Sequence, residues 1–155
     1  MPGRLPLSLR RLTPGERALA AGVFGRGLDA TRVRLLTIPV WRRPFVAGPR
    51  LMVWPHRRAP ADFSAAALGL QAGFVHELTH VWQAQRGTFL PFAKLKAGDS
   101  PASYAYDLAG LADFAALNIE QQASVVEHAF LAARGAAVPF AAHLYAQAAR
   151  AWRND

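Results

Sequence analysis

From residue 63 to residue 86 apolar and polar positions recur with a helical period, no proline intervenes, and Ala, Leu and Gln dominate. At 3.6 residues per turn Ala67, Leu70, Phe74, Leu78 and Val81 fall on one apolar stripe, the side expected to face the core. The opposite face carries Gly69, Ala72, Gly73, His76, His80, Gln83, Ala84 and Gly87. Apart from the two histidines and Gln83, everything on it is small. A glycine costs a helix roughly 1 kcal/mol relative to alanine. Another backbone, or a substrate, is therefore expected to come close to this face.

The pattern on either side predicts shorter elements. Residues 1 to 12 read as an irregular arm, and residues 13 to 155 as a single domain. Thr13-Pro14-Gly15-Glu16 opens a helix, with Thr13 as cap, proline at the first helical position and Glu16 closing a capping box; Gly25 stops it. Thr31 to Ile38 alternates as a half-buried strand, Trp41 to Phe45 is a loop, and Leu51 to Trp54 is a second strand stopped by Pro55. Gly87 to Ser100 reads as loop because of Pro91 and Gly98, and the segment around Tyr104 and Tyr106 carries no clear period. Asn118 caps a helix, with Gln121 as its box partner, that runs to about Arg134 and stops at Gly135; a last helix spans roughly Phe140 to Trp152. The fold class is α+β, mostly helical, with a small sheet ahead of the 63–86 helix. An edge strand of such a sheet could hold an extended peptide by backbone pairing.

Composition narrows the chemistry. With 155 residues the chain can bury a real core, and with no cysteine it has neither a disulfide framework nor a thiolate metal site nor a cysteine nucleophile. The first residues lack the apolar run of a secretory signal and no stretch approaches a transmembrane span, so the expected location is the cytoplasm, with export by a non-Sec route left open. The net charge is +8, concentrated in residues 1 to 60, where twelve arginines face only Glu16 and Asp29. A basic half of this kind can contact nucleic acid. The arginines are scattered, however, on no recognisable reading element, which makes nucleic-acid binding the weakest function class considered.

The stronger signal is His76-Glu77-Leu78-Thr79-His80, an H-E-x-x-H sequence. Residues four apart on a helix sit one turn above each other, so His76 and His80 can offer two imidazoles to one Zn²⁺. Glu77 lies about 100° round the helix, near enough to take a proton from a water on the ion without binding the ion itself. Zinc then needs a third protein ligand. Among the downstream candidates, Glu120 and Glu127 lie seven apart on one helical face, and spacing alone does not choose between them.

His76 to Gln83, with Ile119-Glu120-Gln121-Gln122-Ala123, resembles the small bacterial Vgr-related proteins and the metallopeptidase-like domain found near Rhs/Vgr and contractile injection system genes. The likeness extends from Thr13-Pro14-Gly15-Glu16 to Arg134-Gly135. It implies a zincin-like, minimal gluzincin fold, in which the third ligand is a glutamate of the next helix, here Glu120. The family's Tyr-Gly pair ahead of that segment is replaced by Leu117-Asn118, so no role for that tyrosine carries over.

The expectation is thus a zinc metallopeptidase acting on a peptide or protein. His76, His80 and Glu120 hold the metal, Glu77 is the general base, and Tyr104 or Tyr106 stabilises the oxyanion. Gln83, one turn beyond His80, is placed to orient a ligand. The alternative is a non-catalytic, zinc-stabilised component of a contractile injection or secretion system, with other parts of that apparatus as partners.

Overall fold

A computed structural model describes residues 7–110 and 113–155. The helix that carries the histidines, α2 (Leu68–Gln85), is the axis of the molecule. The apolar side chains of its core stripe, Phe74, Leu78 and Val81, are fully buried, whereas Ala67 is exposed and Leu70 half-buried, because helical geometry begins only at Leu68. A short 3₁₀ turn, Phe63–Ala65, leads into it. There Phe63 stacks on Phe74 with ring centroids 4.5 Å apart and touches Trp54 edge-on, which ties the helix to the sheet.

Among the described residues four strands form one sheet in the order β1 (Ser8–Arg11), β2 (Arg34–Ile38), β4 (Leu51–Pro55), β3 (Phe45–Gly48). β1 runs antiparallel to β2, β2 parallel to β4, and β3 antiparallel to β4 with a register shift between Val46 and Gly48. Three of these strands differ from the sequence expectation. The arm contains β1, paired from Ser8↔Thr37 to Arg11↔Arg34, while its first six residues lie outside the described ones. The 41–45 loop ends in β3, a strand too short and too close to Pro44 and Pro49 to show a period. The strand expected from Thr31 begins at Arg34, because Asp29 caps a 3₁₀ turn, Ala30–Arg32, with its carboxylate.

Helix α1 (Pro14–Phe24) has the expected capping box. Its Glu16 does more than cap. The buried carboxylate accepts two bonds of 2.8 Å from Arg10, one from the Thr13 amide and one from the Phe63 amide. One ion pair thereby joins β1, α1 and the entrance to α2.

After α2 the expected loop is instead a helix, α3 (Leu90–Ala97). Pro91 occupies its first turn, where a missing amide hydrogen costs nothing, so the residue taken to exclude a helix starts one. A single turn, α4 (Pro101–Tyr104), follows. Helix α5 (Ile119–Ala132) begins at Asn118 with the expected box to Gln121 and lies against α2. The final segment is α6 (Ala142–Ala148), which ends in a 3₁₀ turn; Tyr145 and Trp152 are its buried anchors.

The glycines of α2 have other causes than a close backbone. Gly87 takes φ +97°, and the bonds Gly87 N–H to Ala84 O and Thr88 N–H to Gln83 O close a Schellman cap. A Cβ on Gly69 would meet nothing, and one on Gly73 would rest 3.9 Å from the Trp54 ring, an ordinary contact.

Candidate metal centre

His76 and His80 project from α2 toward α5, their rings 5.1 Å apart and nearly perpendicular. Glu120, in the first turn of α5, lies between them: Oε2 is 3.3 Å from His76 Nε2 and Oε1 is 3.5 Å from His80 Nε2. Ligands about 2.1 Å from a tetrahedral zinc lie about 3.4 Å from one another. The two imidazole–carboxylate separations are close to that spacing, and one ligand atom from each of the three residues falls within 4.8 Å of the others.

The outward nitrogens of both rings are already engaged. His76 Nδ1 donates to Glu127 at 2.9 Å, and His80 Nδ1 donates to Gln83 Oε1 at 2.9 Å. Gln83 has no freedom to reverse its amide, because its NH₂ group donates to Ile119 O and to Gln122 Oε1, and Gln122 in turn donates to Phe114 O. His80 then carries a hydrogen on Nδ1, and its Nε2 faces the Glu120 carboxylate. Both imidazoles thus turn Nε2 toward one buried carboxylate, a grouping that could hold a metal ion.

The site's charges respond to one another. Burial works against an imidazolium at His76, but Glu120 and Glu127 outweigh it and raise its pKa to about 10. Burial likewise works against the Glu120 carboxylate, which hydrogen bonds from His76 and His80 nonetheless hold well below the usual range. Glu77 behaves differently: burial lifts its carboxyl above the ordinary value, with His80 and His76 pulling the other way. Its carboxylate has no hydrogen-bond donor among the described residues and lines the open space beside the histidines.

That space is a cavity of about 640 Å³ between α2, the N-terminus of α5, α3 and the β3 edge. Its walls are largely apolar, from Trp41, Phe45, Val46, Leu90 and Ile119. Polar groups collect at one end. Lys94 donates to Glu120 Oε1 at 2.8 Å and to the Tyr104 hydroxyl at 3.3 Å, and Tyr104 donates to Asp99 at 2.8 Å. Hydrogen bonding and charge at Glu120 outweigh desolvation and raise the Lys94 pKa.

The structure thus gathers His76, Glu77, His80, Glu120 and Tyr104 around one cavity, and gives Glu127 a supporting place on the far nitrogen of His76. Tyr106 is not among them. Its hydroxyl meets His128 Nδ1 and the Tyr145 hydroxyl, each at 2.6 Å, in a separate cluster, which removes it as an oxyanion stabiliser. Lys94 and Asp99 escape a reading that takes their segment for loop. One trace was present: Lys94 and Lys96 are the only lysines in a chain whose other basic residues are arginine.

No protein-family model matches the chain. In sequence it is 35% identical over 134 residues, 79% of its own length, to the type VI secretion system spike protein VgrG2b of Pseudomonas aeruginosa. In structure it matches the effector domain of that VgrG2b with a TM-score of 0.71 and 31% identity, over 99% of this chain and 89% of that one. The chain belongs to the VgrG2b effector-domain family. It spans only 13% of the length of the VgrG2b spike protein, so the relation to VgrG2b is that of one domain.

Proposed function

We propose that the chain is a zinc-dependent peptidase of the gluzincin type that works as an effector-like component of a bacterial secretion apparatus. The two halves of this reading have different support. The relationship to an effector domain of a type VI spike protein supports the association with secretion. Hydrolysis is supported by the site alone, and by one observation above all: a buried Glu77 with no hydrogen-bond donor among the described residues, beside the clustered His76–His80–Glu120 set.

His76, His80 and Glu120 would hold the ion, and when bound zinc supplies Lewis acidity toward a carbonyl oxygen and a water. Glu77, with its raised proton affinity, is suited to accept a proton from the attacking water and return it to the leaving amine. Lys94 anchors the Glu120 carboxylate. The Tyr104 hydroxyl, kept protonated by burial and Asp99, stands at the cavity wall and would serve as oxyanion donor on turning its hydrogen from Asp99 toward the substrate. An extended peptide fits along β3, whose outer edge borders the cavity.

The test is hydrolysis of an unstructured protein such as casein by the zinc-loaded chain, compared with Glu77→Gln. The expected result is cleavage by the wild type, a loss of at least about a hundredfold in Glu77→Gln, and equal zinc content in both. The second reading, a non-catalytic component stabilised by zinc, draws on the spike protein relationship. It predicts one bound zinc, melting on chelation, and no cleavage by either chain.

A further inference from the structure

We propose that the rim of the cavity mouth, formed by α3 and the turn at residues 40–43, is a docking surface for an anionic lipid bilayer. Helix α3 is turned inside out for a water-soluble surface. Leu90 is buried, while Phe89, Phe92 and Leu95, spaced three apart, point outward and are 72%, 65% and 81% exposed. On the opposite rim Val40 is 99% exposed and Trp41 stands half out of the surface. Val40 takes φ +59°, a conformation a β-branched residue rarely adopts, so the backbone accepts strain while holding an apolar side chain in water.

The two elements that carry them flank one cavity. Trp41 and Phe45 line the cavity from one side, Leu90 and Pro91 from the other. Arg43 crosses to Asp99, at the end of α3, at 3.1 Å.

The charges name the occupant. Residues 39–45 and 89–99 contain Arg42, Arg43, Lys94 and Lys96 against Asp99; Arg43 pairs with that carboxylate and Lys94 with Glu120, which leaves Arg42 and Lys96 to meet an anionic surface. A protein-binding patch concentrates apolar residues at its centre and is depleted in lysine. Here exposed Lys96 stands among the exposed Phe92 and Leu95, so apolar side chains and a cation reach the same surface, the pairing that binds an anionic bilayer. At eight residues α3 can only lie on a membrane, and no described helix is long and apolar enough to cross one. The inference does not depend on zinc or on catalysis.

The test is flotation of the 155-residue chain with vesicles at low salt, using phosphatidylcholine alone or mixed with phosphatidylglycerol. The wild type is expected to float with the mixed vesicles and not with phosphatidylcholine. The Phe92→Ser/Leu95→Ser variant should lose at least about tenfold in vesicle affinity. Because both residues are exposed, melting temperature and zinc content should not change, and wild-type chain stripped of metal should still float. A wild type that stays in solution overturns the proposal. So does a double variant that floats equally well, since the scattered arginines would then suffice. Sedimentation giving a wild-type dimer that the double variant dissociates, without vesicle binding, would assign the patch to a second copy of the chain and also overturn it.

Discussion

Glu120 and Glu127 touch the same imidazole at opposite nitrogens, and that decides what removing each should do. Glu120 faces Nε2 together with His80; Glu127 takes the hydrogen of Nδ1. Competition against a chromophoric chelator is expected to show no stoichiometric zinc for Glu120→Ala. Glu127→Gln should retain one zinc with affinity lower by about 10- to 100-fold, the usual effect of losing a ligand's hydrogen-bond partner. Equal losses for both would remove the distinction between ligand and support. His76, Glu77 and His80 were legible in the sequence because their relation is local, fixed by one helix. The choice between the glutamates was not, since both lie on one face of α5 and the packing of α5 on α2 selects between them. Tyr106 illustrates the converse. Two positions from Tyr104 in sequence, it belongs to a different cluster because the chain leaves helical geometry at Ala105.

At the level of elements, local signals predicted well wherever an end was capped by chemistry carried in the sequence. Thr13 with Glu16, Asn118 with Gln121 and the Gly87 cap are each formed by residues within a few positions. The sheet was only half legible, because β1 and β3 are four-residue strands whose identity comes from their partners. Helix α3 was missed for a physical reason: proline excludes a helix only from its interior. The glycines of α2 give a prediction of their own. With space for a methyl group against Trp54, Gly73→Ala should stabilise the chain by about 0.5–1 kcal/mol in urea denaturation, with unchanged zinc content. A loss of stability would restore the idea that something approaches that face.

For the molecule as a whole, the interlocked charges at the site set a dependence on pH. His76 has its proton affinity raised from 6.5 to about 10 by folding. Its contribution to stability is therefore complete below pH 6.5 and fades as pH rises through about 10. In the presence of a chelator the melting temperature should decline across that window. With zinc supplied the decline should shrink or reverse, because the metal takes the place of the proton. A chelated protein whose melting temperature rises from pH 6.5 to 10 would contradict the buried His76 ion pairs.

His76 and Glu120 are 44 residues apart in sequence and come from different helices. An ion seated between them closes a covalent-like loop through the middle of the chain. Tying a loop of that length restricts the unfolded chain by about 4 kcal/mol on the entropy model used for disulfides. The chain contains no cysteine. A chain stapled in this way would keep its cross-link in reducing and oxidising surroundings alike. What such a cross-link would answer to instead is the supply of metal, and a stronger chelator would open it.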